Sequence, residues 1–202
     1  MALHISGQSC ELREVVLRNK PAEMVELSPK ATVPVLRLET GDVLEQSLDI
    51  MLWTLANNDP GDWLVPECGT LNDMLALIAE NDGPFKDHLD RYKYAPRYDN
   101  ADPVSHRTEA EKFLCALDER MKNCAYIFGN RPALADYAIA PFIRQFANTD
   151  RAWFDAAPYP HLQKWLEGFL KAELFKQVMD KYPAWQPGDS PVFFEAAAKP
   201  RD

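Results

Sequence analysis

The sequence predicts a mixed α/β domain over residues 1–59 followed by an all-α domain over residues 70–202. Two patterns carry this. Short valine-rich runs divided by turn residues fill the first sixty positions, whereas apolar residues recur at three-four spacing from Thr70 to about Tyr182. Between them PGDWLVPECG is rich in helix and strand breakers and marks the linker.

In the first domain CELREVVL alternates, which predicts a strand over Cys10–Leu17. Pro21 suits the first position of a short helix that Pro29 stops. PVLRLE and DVLEQ, divided by Thr40 and Gly41, read as a β-hairpin. SLDIMLWTLANND then puts Leu48, Met51, Leu52 and Leu55 on one helical face, with Ser47 as N-cap.

In the second domain LNDMLALIAE presents Leu71, Met74, Leu75 and Ile78 on one face, and Gly83 with Pro84 should break that helix. TEAEKFLCALDERM repeats the spacing through Ala110, Phe113, Leu114, Leu117 and Met121. LADYAIAPFIRQFA is apolar nearly all round, so it is expected to be the buried central helix, bent at Pro141. HLQKWLEGFL follows with Leu162, Trp165, Leu166, Phe169 and Leu170. The proline-rich tail from Trp185 should pack as an extended strap through Phe193 and Phe194 before it frays.

Composition narrows the function. A chain of 202 residues, 47% hydrophobic, can bury a sizeable core. Its net charge of −9 removes the electrostatic basis for a sequence-independent grip on nucleic acid or an anionic membrane. No apolar run approaches the roughly 20 residues that span a bilayer, so a cytoplasmic location is expected. Cys10, Cys68, Cys115 and Cys124 form no close pair and no metal-type cluster, which predicts reduced thiols and no metal. His4, His88, His106 and His161 share no spacing and receive no chemistry.

TVPVL, with QS twelve residues after its proline, is the pair that carries chemistry. An X-Pro bond is cis at modest cost. A cis bond at Pro34 would turn the Val33 backbone outward, where an extended peptide can pair with it. Ser47 offers a hydroxyl and a backbone N–H at a helix start, which favours a carboxylate, and Gln46 beside it can donate or accept. These groups suit a small peptide with a terminal carboxylate. Val-Pro before a strand and Ser before a helix are also ordinary turn chemistry, so the pattern alone leaves both readings open.

SPKATVPVLRLETGDVLEQSLDIMLWTL closely resembles the N-terminal domain of bacterial glutathione S-transferases. RPALADYAIAPFIRQFA and PYPHLQKWLEGFL resemble their helical C-terminal domain, so the resemblance spans essentially the whole chain. It implies a thioredoxin-like α/β domain joined to an all-α domain, homodimerisation, and glutathione bound as a substrate at the first domain. By the same resemblance the glutathione contacts fall on Val33, Pro34, Gln46 and Ser47, with Lys30 supplying a basic side chain. Tyr94 and Tyr98 in RYKYAPRY sit four apart, with Arg91 and Arg97 nearby, on the helix that borders the second-substrate pocket in this family. An interdomain packing face with snorkelling arginines fits them equally. Trp153 and Phe154 are read as core or dimer surface. Family members usually cap the central helix with Ser or Thr three residues before an Asp; here Ala133 stands before Asp136, which is therefore read as structural.

The resemblance also implies a Ser, Tyr or Cys that stabilises the glutathione thiolate, because a free thiol is largely protonated at neutral pH. Ser9 or Cys10 after ALHIS invites that role. However, only 24 positions separate Cys10 from Pro34. Two helices, a strand and their turns need about 35. The register that fits makes ELREVV the second strand and MALHISG a helix end stopped at Gly7. The family's first strand is then expected upstream of Met1, leaving the N-terminal domain shortened and the catalytic residue unknown. Ladder groups beside a missing strand must be met by upstream chain, a rearranged sheet or a partner. Two functions follow as expectations: transfer of the glutathione thiolate to a small electrophile or thiol exchange, or a non-catalytic binding module of the same family.

Overall fold

Helix α1 (Ala2–Ile5) stops where its glycine requires. Gly7 adopts φ +72, its N–H donates to the His4 carbonyl at 3.2 Å, and the Gln8 N–H donates to the Leu3 carbonyl at 3.0 Å. This bond pair satisfies the last-turn carbonyls, and glycine takes that φ without strain. The helix packs on α3 (Ser47–Asn57), where Asn58 Nδ2 donates to the Ser6 carbonyl at 2.8 Å. Between them lie β1 (Cys10–Glu11), α2 (Ala22–Leu27), and a hairpin of β2 (Leu36–Arg37) and β3 (Val43–Leu44).

The computed structural model describes residues 1–194, in two compact units. One is Met1–Gly61 with residues 173–194; the other is Asp62–Ala172. In the first unit the predicted strand over Cys10–Leu17 shrinks to the two residues of β1. Its partner is the tail: β4 (Phe193–Phe194) runs antiparallel to it, with Cys10 opposite Phe194 and Glu11 opposite Phe193. The Leu12 N–H donates to the Val192 carbonyl at 2.7 Å, and the Trp185 N–H to the Glu14 carbonyl at 2.9 Å. Arg13 adds its guanidinium over the Trp185 ring at 4.6 Å. The strap expected from the tail is thus present through Phe194, and it meets the ladder groups of this segment. Pairing fades past Glu14 because Val15 bonds the neighbouring Glu14 side chain and Val16 turns back to Asn19. The fraying end lies outside the described residues. Helix α10 (Glu173–Gln177) leads into this strap.

The second unit is helical. Thr70 and Asp73 cap α4 (Leu71–Glu80) reciprocally: the Asp73 N–H donates to Thr70 Oγ1 at 3.2 Å, and the Thr70 N–H donates to Asp73 Oδ2 at 2.8 Å. The break predicted at Gly83 and Pro84 does not occur. A π-helical turn over Asn81–Phe85 carries the chain directly into α5 (Lys86–Lys93). Proline has no N–H to give and its ring needs room, and the wider turn supplies that room without ending the helix. Then come α6 (Pro103–Arg120), α7 (Leu134–Ala147), α8 (Arg151–Ala156) and α9 (Pro160–Lys171).

Helix α7 is the expected central element. It packs against α4, α5, α8 and α9, and its Leu134, Ile139, Ala140 and Ile143 are fully buried. It runs unbroken through Pro141. The apolar stripe of α6 turns inward as its spacing requires, with Ala110, Phe113, Leu114 and Leu117 buried. Phe154 is core, while Trp153 is half-buried beneath the Arg107 guanidinium at 4.5 Å.

Asp136 is the one buried acid among the described residues. Its Oδ2 accepts the Ala133 N–H at 2.9 Å, and its Oδ1 accepts the Ile127 N–H at 3.1 Å and Trp165 Nε1–H at 2.8 Å. The carboxylate therefore satisfies the N–H of the N-cap Ala133, the reciprocal half of a capping box, and it also anchors the preceding loop and α9. Burial pushes the Asp136 carboxyl up to about 6 from 3.8, with the donors opposing that rise. Asp136→Ala should cost about 3 kcal/mol by leaving these donors unmet, a fall in Tm of roughly 6–12 °C in thermal unfolding. The pH dependence follows from the raised value. The folded chain holds this proton more tightly than the unfolded one, so the group's contribution is full below about pH 4 and is lost as pH rises through about 6. Urea unfolding across that window should show wild type losing stability relative to Asp136→Asn; parallel curves would remove the assignment.

Candidate functional site

The β2–β3 hairpin places the sequence-predicted site. Its turn closes through the Leu38 N–H to the Asp42 carbonyl at 2.8 Å and the Gly41 N–H to the Leu38 carbonyl at 3.0 Å, with Gly41 at φ +95. Leu36 pairs with Leu44 and Arg37 with Val43. Val33 and Pro34 precede β2, and Gln46 and Ser47 follow β3, so both pairs lie toward the same end of the hairpin. Segments twelve residues apart thus share one end of the hairpin.

A side-chain cluster holds that end together. Ser28 Oγ donates to Glu45 Oε1 at 2.6 Å, and Lys30 Nζ pairs with Glu45 Oε2 at 3.1 Å. These bonds fix the loop entering Val33 against the residue leaving β3. The Ser28 hydrogen bond, then Lys30, holds the Glu45 carboxyl below its ordinary range. Ser28 is fully buried, and neither it nor Glu45 was found by sequence reasoning, since nothing local marks two residues 17 apart as partners. Lys30, expected as a basic side chain at the glutathione site, pairs with Glu45.

The Val33–Pro34 peptide is cis, as the sequence suggested. Val33 is 45% exposed, and among the described residues its N–H and C=O make no backbone hydrogen bond. That leaves one donor and one acceptor on the same face for an extended ligand. The structure corrects the helix start by one residue: Gln46 is the N-cap of α3, its carbonyl accepting the Ile50 N–H at 3.1 Å, and Ser47 is the first helical residue. Both are exposed. The Ser47 N–H is consequently one of the orphan donors of a helix N-terminus, with its hydroxyl beside it, where an anion is favoured. Asp49 in the same turn reduces that positive potential in part.

Tyr94 and Tyr98 do not share a helical face. Helix α5 ends at Lys93, Tyr94 is its C-cap, and a 3₁₀ turn over Ala95–Arg97 intervenes before Tyr98. Pro96 in that turn explains why the four-residue spacing fails to continue the helix. Cations cover both rings: Arg97 lies 4.2 Å and Lys93 4.8 Å from the Tyr94 centroid, and Arg91 lies 4.9 Å from that of Tyr98. The tyrosine turned toward the core is Tyr92, 5.2 Å from Phe146. A cavity of about 390 Å³ in the same unit is lined by Cys68, Asp73, Arg120, Cys124 and Phe128, and by neither Tyr94 nor Tyr98.

Cys10 is half-buried in β1, and burial pushes its thiol up, away from the thiolate. Among the described residues no group of three or more His, Cys, Asp or Glu side chains is arranged to hold a metal ion, and no helix is long and apolar enough to cross a membrane.

The chain matches the glutathione S-transferase N-terminal domain over residues 1–63 and the glutathione S-transferase C-terminal domain over residues 83–173. Among solved structures it is similar to BphK, a bacterial glutathione S-transferase solved as a ternary complex, at TM-score 0.70 and 20% identity, covering 87% of this chain and 88% of that one. Glutathione S-transferase III in its apo form gives TM-score 0.67 at 19% identity, with 90% and 91% covered. A glutathione transferase family member from Pseudomonas fluorescens with two glutathione bound gives TM-score 0.65 at 18% identity, with 78% and 74% covered. Among curated proteins no significant match is found. The two domain matches account for most of the chain, and it belongs to the glutathione S-transferase family, with a thioredoxin-like N-terminal domain carrying a small sheet and a helical C-terminal domain.

Proposed function

We propose that the chain binds glutathione at the open end of the β2–β3 hairpin and presents its thiolate to a small electrophile or a disulfide. The observation that carries this is the convergence there of an unpaired Val33 backbone beside the cis Pro34 with the α3 N-terminus at Gln46 and Ser47. The tripeptide's amide chain pairs with the Val33 N–H and C=O as an added strand does, and a carboxylate is received by the Ser47 N–H and hydroxyl. Gln46 completes the polar contacts. Lys30, in the loop before Val33, lends its basic side chain to the tripeptide and also pairs with Glu45. Tyr94 and Tyr98, with their cationic neighbours, remain assigned to the border of the second-substrate pocket. A neighbour of the same fold with glutathione bound supports the ligand's identity. The chain pairs as a homodimer on this reading, and its four free cysteines suit the reducing cytoplasm.

One observation favours a second reading, a glutathione-binding module without turnover. Cys10, the thiol nearest the family's catalytic position in sequence, is desolvated toward its protonated form, so no activating residue is assigned.

Three measurements decide among these statements. Retention on immobilised glutathione is expected, and Ser47→Ala should weaken binding about tenfold, the loss of one charge-assisted hydrogen bond; equal retention by the variant would sink the site. Turnover of a reactive aryl halide above the uncatalysed rate supports the transferase reading, whereas retention without turnover supports the binding module. Light scattering behind size exclusion should give twice the 23.0 kDa chain mass, and a monomer would remove the pairing.

A further inference from the structure

A cavity in the helical unit draws its walls from three parts of the chain. Cys68 in the segment before α4, Arg120 at the end of α6, and Cys124 and Phe128 in the loop that follows line a space of about 390 Å³. Small-molecule sites occupy about 300–1,000 Å³. The whole lining falls within Asp62–Ala172, so it shares no residue with the hairpin site. We propose that this cavity binds a small aromatic carboxylate, held by Arg120.

The walls are fixed before any ligand arrives. The Cys68 N–H donates to the Phe128 carbonyl at 3.1 Å, which ties the segment before α4 to the loop. Glu67 accepts the Asn130 and Arg131 N–H groups, and the Arg131 guanidinium donates to the Asp62 and Val65 carbonyls, each at 2.9 Å. Gly129 permits this approach, because a Cβ there would collide with the Glu67 carboxylate. Preformed walls spare a ligand the cost of ordering them.

The lining selects the ligand. Ile127 and Phe128 are buried and give the cavity an apolar floor, and the Cys68 and Cys124 thiols are soft groups that suit an aromatic ring. Arg120 is the one cation among the described residues of the lining. Its guanidinium lies 5.3 Å from the Phe128 centroid, and no carboxylate among the described residues pairs with it, so its planar donor fork is open to a ligand carboxylate. Asp73, the acid of the lining, has its Oδ2 committed to the Thr70 N–H at 2.8 Å and the Thr70 hydroxyl at 2.7 Å. One guanidinium beside an apolar floor matches one acid group on a flat apolar body.

The test follows alkylation of the full-length chain by iodoacetamide, read cysteine by cysteine by mass spectrometry. At ten times its Kd, benzoate should slow modification of Cys68 and Cys124 about tenfold. Cys115, exposed and outside the cavity, should react at its original rate. Benzyl alcohol, the neutral counterpart, should need about tenfold more for the same protection, the loss of a charge-assisted hydrogen bond. Arg120→Gln should weaken benzoate by a similar factor while keeping the wild-type far-ultraviolet spectrum, and because iodoacetamide is uncharged the substitution does not change its attraction to the site. Absence of protection, equal protection by benzyl alcohol, parallel slowing at Cys115, or protection that persists in Arg120→Gln overturns the site. If that variant fails to fold, benzoate against benzyl alcohol on the wild-type chain decides alone.

Discussion

The Asp136 carboxylate is the interaction on which the helical unit depends. It receives an N–H from its own helix start, one from the loop before it and one from the Trp165 indole on α9. The helix start, the loop before it and the more distant α9 are thereby tied to one point at the N-terminal end of the central helix. A charge at this depth is costly unless every lone pair is used, and here the donors make the ionised form tolerable at neutral pH. Ala133 has no side-chain cap to offer, and this carboxylate holds the N-cap backbone at the start of α7.

The N-terminal unit solves a different problem. Its backbone groups around Cys10 need partners, and the two sheets are each only two strands wide. A pair of strands alone is marginal. The unit compensates by packing α1 on α3 and by drawing the tail back over β1, with the Arg13–Trp185 contact covering the junction. Glu45 then ties the end of β3 to the loop before Val33 through Ser28 and Lys30.

What could be read in the sequence was what depends on near neighbours. The apolar faces of α4, α6 and α9 and the stop at Gly7 follow from spacing and local chemistry, and all are present. The cis bond at Pro34 was legible for the same reason. Features set by distant packing were not. Cys10–Leu17 has the composition of a strand but finds a partner for only two residues, because strand length depends on the neighbouring chain as much as on its own residues. Gly83 and Pro84 signal a break, yet a π turn absorbs them once α5 is held against α6. Glu45 with Ser28 and His88 with His106 are pairings across 17 and 18 residues that no motif announces.

The pairing of β1 with β4 also bears on how the chain is made. The helical unit is a continuous stretch, Asp62–Ala172. The other unit joins its first dozen residues to its last described ones. On a ribosome, which releases the N-terminus first, the helical unit can close while synthesis is still under way. The edge of β1 must wait, unpaired, until nearly the whole chain has emerged. The closure of β1 on β4 therefore follows the folding of the helical unit, and β1 is ordered late.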